Sequence, residues 1–349
     1  MKKILIISAF AAAAFAFTAC NNSALQLENA EGSISVNFSL PQATRADSQG
    51  KEATLTDVQM LIFNSDEELY KYYQLSSAEV TAKTATLANV VAGDYSVYVI
   101  ANGPDLSDCT ELDGLLETDI DLPGYNDPSA DFVMEGHDDV TVTGGSTADA
   151  TIALSRYVSR VVLKKVINQL PEAYGAFTLT RAFLANAVSM QNLGENRDIE
   201  GEDCWYNKEG RYDEETRDED HIIDGTTYAA SGADLTFAAI GQSINNGANY
   251  STAKYFYAYP NSSTTDPVGF SSTFYGQKTV LVIVGAFNGH TYYYPVVMNA
   301  LARNTSYEVT ATITGAGAED PSTPVSSGSI TLTVTVNNWL DGTSYTETF

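Results

Sequence analysis

Two stretches at opposite ends of the chain carry the same hydrophobic pattern. Residues 328–339 read Gly-Ser-Ile-Thr-Leu-Thr-Val-Thr-Val-Asn-Asn-Trp, with Ile330, Leu332, Val334 and Val336 on one face and Thr331, Thr333, Thr335 and Asn337 on the other. Residues 33–40 alternate in the same way, with Ile34, Val36, Phe38 and Leu40 as the apolar set. Period-2 alternation rich in β-branched residues predicts a strand in each place. The later strand follows residues 314–327, TGAGAEDPSTPVSS, which have the small, polar, Pro-containing character of a linker. A strand at the end of a linker needs a sheet to join. Its own domain can supply one, and so can a neighbouring molecule.

Between these two stretches the pattern predicts further short strands. Residues 58–64, VQMLIFN, form a near-continuous apolar run of the kind found in a buried sandwich strand. Strands follow over 84–91 and 94–102, the second stopped by Gly103-Pro104, then a short helix within 106–116 and short strands at 131–135 and 146–155. Strand-formers begin again at 156–166, and 177–190 reads as a strand with an irregular end. A polar excursion covers 191–224, and 254–261 is an aromatic strand carrying Tyr255, Tyr257 and Tyr259. Residues 279–287 and 291–298 flank Asn288-Gly289, a hairpin signal, and 303–313 leads into the linker. Such spacing predicts an all-β chain, with an antiparallel β-sandwich first and a second domain of strands that begins near Leu154. A length of 349 residues suits two domains.

Charge narrows the partners. With 18 Lys and Arg against 44 Asp and Glu, the formal charge is −26, so no basic face for nucleic acid or anionic lipid can be assembled. Acidity of this kind keeps crowded surface proteins soluble and apart. At the N-terminus, Lys2 and Lys3 precede an apolar run over 4–17 that is too short to span a bilayer and reads as an export signal. Residues 41–50, PQATRADSQG, are polar and hold one basic residue, Arg45, an accessible site for an Arg-specific protease; Lys51 is the nearby alternative for a broader one.

Candidate chemistry is sparse. His137, His221 and His290 are far apart and match no metal spacing. The acidic run 213–220 lacks the Asp/Asn alternation with Gly of a calcium loop, and Asp119, Asp121 and Asp127 are similar. Cys109 and Cys204, 95 positions apart, read as separate thiols. Nothing marks a catalytic pair, so no enzyme activity, cofactor or metal is expected. Tyr255, Tyr257 and Tyr259 suit either sugar stacking or sandwich core and surface.

Two resemblances give these features a common meaning. Phe17-Thr18-Ala19-Cys20 followed by Asn21-Asn22-Ser23 resembles the lipobox of bacterial lipoproteins, which implies a signal peptide over 1–19 and acylation of Cys20 as the mature N-terminus. Several acyl chains together anchor stably. Most of the chain resembles the fimbrillins, the lipoprotein-derived (type V) pilins of the Bacteroides group. The resemblance rests on the lipobox, the strand followed by Arg45-Ala46, VQMLIFN, GDYSVYVIAN and DFVMEG. It continues through Leu154-Ser155-Arg156 leading into Arg160-Val161, YFYAYPN, ARNTSYEVTATITGAG and the closing VTVNNW.

That resemblance implies an all-β fold of two tandem antiparallel β-sandwich (transthyretin-like/Greek-key) domains with a C-terminal donor strand, and a non-catalytic structural subunit of a fimbrial shaft that mediates adhesion. Its precursor sits on the outer membrane through its lipid, and the mature form is extracellular. An Arg-specific protease would cut Arg45/Ala46, removing a propeptide over 20–45 with the strand of Ile34, Val36, Phe38 and Leu40. The sandwich of 46–154 would then accept the tail of 328–349 from another copy, with Ile330, Leu332, Val334, Val336 and Trp339 as donor residues, while 155–327 forms the second sandwich. Tyr345 and Phe349 alternate in register for a second short strand. The implied partners are identical subunits in a homopolymer, accessory tip and anchor subunits, the protease and surface receptors. The alternative is a monomeric surface lipoprotein that binds glycan or host protein through 191–224 and exposed aromatics.

Overall fold

The computed structural model describes residues 30–40, 52, 54–122, 131–199, 204–206, 237–266, 276–319, 325, 328–338 and 344–348. In the N-terminal domain the elements are β1 (Glu31–Ser39), β2 (Val58–Asn64), β3 (Leu69–Gln74), α1 (Ser77–Ala82), β4 (Thr84–Val91) and β5 (Gly93–Ala101). They continue with α2 (Leu112–Leu116), β6 (Asp119–Asp121), β7 (Met134–Val142), β8 (Thr147–Ala153) and β9 (Ser155–Arg156). The C-terminal domain runs through β10 (Ser159–Asn168), β11 (Phe177–Ala185), β12 (Ala187–Val188), β13 (Met190–Asn192), β14 (Trp205–Tyr206), β15 (Phe237–Ile244) and β16 (Asn249–Tyr250). It ends with β17 (Lys254–Ala258), β18 (Val280–Phe287), β19 (His290–Val297), β20 (Thr305–Ile313), β21 (Ile330–Asn338) and β22 (Ser344–Thr348).

Each domain is a two-sheet sandwich around its own core. In the first, the sheet β4-β1-β8 packs against β3-β2-β5-β7-β9, and Ile34, Val36, Val58, Met60, Ile62, Val97, Val99 and Ile152 meet between them. In the second, β10, β20, β21 and β22 lie in sequence across one sheet, with β16 and β17 on the far side of β10. The other sheet has the order β15-β11-β18-β19. Val161, Leu163, Leu179, Leu281, Ile283 and Val309 share the core between them. The hairpin expected at Asn288-Gly289 is present, with φ of 51° and 79°, the left-handed pair of a type I′ turn. Gly285 on β18 is required because the Phe177 ring occupies the place of a side chain there; a Cβ would come within 2.0 Å of it.

The sandwiches are not purely antiparallel, as the alternation alone suggested. β1 runs parallel to β8, and β10 runs parallel to β20. In both domains the first strand returns beside a late one, so the sheet closes between distant parts of the chain, and parallel neighbours need a long crossover. A third apolar cluster lies where the domains meet. It joins Leu61, Phe63, Ile100 and Phe132 to Tyr157, Val188, Trp205, Tyr257 and Tyr259. Across the same junction β6 pairs antiparallel with β13. Within the excursion expected to be solvated, Cys204 and Trp205 turn back into this cluster, with Trp205 Nε1 donating to the Ile199 carbonyl at 2.7 Å.

Candidate functional site

β1 occupies a slot in the N-terminal domain. It pairs antiparallel with β4, from Glu31↔Val91 to Asn37↔Thr84, and parallel with β8, from Ser33↔Thr147 to Ser39↔Ala153. Backbone bonds close both ends. Gly145 N–H donates to the Glu31 carbonyl at 2.8 Å at one pole, and Leu154 N–H donates to the Ser39 carbonyl at 2.9 Å at the domain junction. The inward side chains Ile34, Val36 and Phe38 are buried, and Leu40 packs half-buried beside them. On the outward face Ser33 and Thr147 share a 2.7 Å hydroxyl hydrogen bond. The predicted apolar face is therefore the core face.

The C-terminal strand rests on its own domain. β21 pairs antiparallel with β20 along its length, from Ile313↔Ile330 to Thr305↔Asn338. Ile330, Val334 and Val336 are buried against Tyr307, Val309, Ala311 and Ile313, with Leu332 packed at the margin. The second short strand forms as β22, but it pairs with β21 itself. The two stretches of like pattern thus stand in two like settings, one at the centre of the first domain and one towards the edge of the second.

A polar constellation at the junction escaped the pattern analysis. Arg303 lies 4.0 Å over the Tyr157 ring, and its Nη2 donates to Glu135 Oε2 at 3.0 Å and to the Ser155 carbonyl at 3.0 Å. Its Nη1 pairs with Glu195 of the second domain. Burial opposes the Arg303 charge, but Tyr157, Glu195 and Glu135 outweigh that and hold its pKa above the ordinary value. Beside it, Glu52 is 2% exposed. Glu52 Oε1 accepts from Arg160 Nη1 at 2.7 Å and from Tyr257 OH at 3.0 Å. The Glu52 carbonyl accepts from Arg156 Nε, and Arg156 Nη1 donates to Asn304 Oδ1 at 3.2 Å. The sequence signal was present: Arg156, Arg160 and Arg303 interrupt strand-forming runs. Replacing Arg303 with Leu should cost on the order of 3 kcal/mol, since two carboxylates lose their shared partner. Urea unfolding should then show the two domains melting less cooperatively.

The remaining sequence candidates fall apart in space or outside the described residues. Cys20, Arg45, Ala46, Lys51, Asp127, the run 213–220, His221, Trp339 and Phe349 lie outside them. His137 stacks on Tyr98 at 4.8 Å and meets Glu135 at 2.9 Å, while His290 sits at the β18–β19 hairpin. Asp119 pairs with Arg197. Tyr257 and Tyr259 are core residues, and Cys109 and Cys204 are separate thiols. Among the described residues no three His, Cys, Asp or Glu gather as a metal site, and no helix is long and apolar enough to cross a membrane.

Residues 30–157, from the first residue before β1 through the end of the N-terminal sandwich, match the family described as major fimbrial subunit protein (FimA). Over those residues the chain is similar to the fimbrillins. A likeness of fold to solved structures extends over the second domain as well. A candidate cell adhesion protein of Bacteroides eggerthii is 20% identical with a TM-score of 0.62, over 89% of this chain and 96% of that one. A fimbrilin of Porphyromonas gingivalis is 13% identical with a TM-score of 0.61, over 90% and 99%. The tip fimbrial protein Mfa3 of Porphyromonas gingivalis, truncated at its C-terminus, is 13% identical with a TM-score of 0.54, over 88% and 100%. These likenesses are of fold. No curated protein matches the chain.

Proposed function

We propose that this chain is a fimbrillin, a shaft subunit of an adhesive fimbrium assembled by protease-triggered strand exchange. The precursor is exported, acylated at Cys20 and held on the outer membrane; cleavage after Arg45 frees β1, and β21 of another copy takes its place. The product is a homopolymer on the cell surface, with tip and anchor subunits at its ends and no catalytic role.

The observation that carries this reading is topological. β1 is the first strand of its domain, yet it lies inside the sheet β4-β1-β8. One cut on its downstream side leaves it held by noncovalent contacts alone, and its departure opens a slot bounded by two strands and floored by the core. An incoming strand that keeps the direction of β1 lies parallel to β8, its leading residues at the Gly145 pole and its end at the junction. The donor's own C-terminal domain then sits beyond that pole, clear of the acceptor's second domain. Such a head-to-tail contact does not close on itself and builds a filament.

The transfer is close to balanced in energy, so removal of β1 is what would let it proceed. Four apolar side chains are worth roughly 6–12 kcal/mol of burial in either setting, so the side chains nearly cancel between the domain the donor leaves and the slot it enters. The backbone nearly cancels too: on its own domain β21 bonds β20 and its own extension β22, and in the slot it would bond β4 and β8, so two ladders of hydrogen bonds, each bond worth about 0.5–1.5 kcal/mol, replace two. Limited trypsin digestion followed by N-terminal sequencing and denaturing gels tests the reading. A first cut after Arg45 with ladder formation supports it, and a cut protein that stays monomeric counts against it.

Phe38 offers a sharper check, because its pocket belongs to the discarded strand. Phe38→Ala should lower the stability of the uncut precursor by about 3–5 kcal/mol. The assembled polymer should melt at the wild-type temperature, since the substituted residue has left it. A polymer destabilised as much as the precursor would show that β1 stays in place.

A further inference from the structure

The outward face of the sheet β3-β2-β5-β7-β9 carries a pocket that neither strand exchange nor the domain junction uses. Along β5, Asp94, Ser96 and Tyr98 point out while Tyr95, Val97 and Val99 enter the core. Along β7, Thr141, Asp139 and His137 point out while Val140 and Val142 enter it. The register sets these side chains in rows across the two strands, Asp94 beside Thr141, Ser96 beside Asp139 and Tyr98 beside His137. Between this face and the turn at Asn64 and Ser65 lies an open pocket of about 300 Å³. We propose that this pocket is a carbohydrate-binding site that takes an uncharged pyranose ring.

Its polar groups suit sugar hydroxyls. Ser96 Oγ donates to Asp139 Oδ1 at 2.6 Å, and Thr141 Oγ1 donates to Asp94 Oδ1 at 2.6 Å, so both carboxylates are held in place. Oδ2 of each has no partner among the described residues and is left to accept from a ligand, and a carboxylate oxygen accepts strongly from a hydroxyl. Asn64 is fixed as well: its Oδ1 accepts from Asp66 N–H at 2.9 Å and Glu68 N–H at 3.0 Å, which leaves its amide hydrogens to donate. No Lys or Arg lines the pocket, so a uronic, sialic or sulfated sugar would set its charge against Asp94 and Asp139. Two residues further along both strands, about 7 Å away, the His137 ring lies on Tyr98 with centroids 4.8 Å apart at 21°, and 55% of the His137 side chain is exposed. Ligand sites pair a few placed polar groups with aromatic surface, and this volume stands at the small end of their range, as a single ring requires. The pocket is on the sheet opposite β1, so exchange of that strand would leave it open. Its use in adhesion rests on the fimbrial reading above, but the pocket itself belongs to the uncut chain.

Saturation-transfer NMR on uncut, monomeric precursor tests this with the methyl glycosides of glucose, galactose, mannose and N-acetylglucosamine, and with those of glucuronic and sialic acid as charged counterparts. At least one neutral glycoside should bind saturably, and neither charged one should. Asp94→Ala and Asp139→Ala should each raise its dissociation constant by at least about tenfold, the loss expected for a hydrogen bond to a charged group. Circular dichroism and the melting temperature should stay those of wild type, since both side chains are exposed. Asp94→Asn and Asp139→Asn, which keep the shape and lose the charge, should fall between, and they decide alone where an alanine variant unfolds. His137→Ala should weaken binding less than either alanine change. Binding of no neutral glycoside, binding of the charged ones alone, or neutral binding unchanged by the Asp substitutions would overturn the proposal. Polymers play no part in the readout. Protein that polymerises but binds no glycoside would defeat this inference and leave the assembly reading standing, and a chain that binds but never polymerises would do the reverse.

Discussion

Arg45→Ala precursor treated with an Arg-specific protease should remain monomeric under conditions where wild-type protein forms denaturant-resistant ladders. The expected loss is close to complete. As long as β1 is covalently attached, it competes for its slot at an effective concentration on the order of millimolar. A donor strand on another molecule at micromolar concentration is outcompeted by about three orders of magnitude, because the two strands bring nearly equal apolar faces. Ile34, Val36 and Phe38 are fully engaged in the slot, and Ile330, Val334 and Val336 offer similar volume without an aromatic ring. Any donor register over these residues sets an aliphatic group where Phe38 stood, which further favours the incumbent. On the proposed reading, removal of β1 by proteolysis is the step that changes the outcome. Circular dichroism of the Arg45→Ala protein should match wild type, since the substitution lies outside every described strand.

A second large effect follows from the place of β21 in its own domain. Deleting the tail would bare Val309, Ala311 and Ile313 and confuse loss of donation with loss of stability. Locking the tail avoids this. Thr310 and Thr333 are directly paired across β20 and β21, and opposed residues in an antiparallel ladder have the Cα separation that a disulfide needs. Thr310→Cys with Thr333→Cys should fold normally and be cut after Arg45 normally. Once oxidised it should not polymerise, and dithiothreitol should restore ladders to near the wild-type yield. Polymerisation of the oxidised protein at the wild-type rate would mean that β21 is not the donor.

Much of the strand plan could be read from the chain because the side chains that make it are local. The bounds of β2 and β4 coincide with VQMLIFN and with residues 84–91, and β20 and β21 lie within their predicted stretches. The misses have physical causes. β3, LYKYYQ, carries Tyr on both faces and shows no clean alternation. α1 buries nothing and is held by a Ser76–Glu79 capping box, so no apolar stripe announces it. β7 runs on to Val142 through His137, Asp138 and Asp139, whose polarity hid a strand with one solvated edge. The two parallel pairs join residues more than a hundred positions apart, beyond the reach of any local periodicity.

The candidate site divides in the same way. The face of β1 was legible because Ile34, Val36 and Phe38 repeat at the strand period, and the core needed that face. The junction was not, because Glu52, Arg156, Arg160, Tyr257 and Arg303 come from separate segments and meet only in the folded chain. Several of them lie in stretches that carry the family resemblance, Leu154-Ser155-Arg156, YFYAYPN and ARNTSYEV, so those motifs mark the joint between domains as well as its strands. That joint sets the angle between the slot on one domain and the tail on the other, the geometry a repeating filament needs.

The most direct measurement of the central claim uses the oxidised Thr310→Cys/Thr333→Cys protein, whose own tail is held, and a fluorescent peptide of residues 328–339. The peptide should show no binding to uncut protein, and saturable binding once the protein has been cut after Arg45 and mass spectrometry shows residues 20–45 gone. Equal binding before and after the cut, or none to protein that has lost its first strand, would contradict the account.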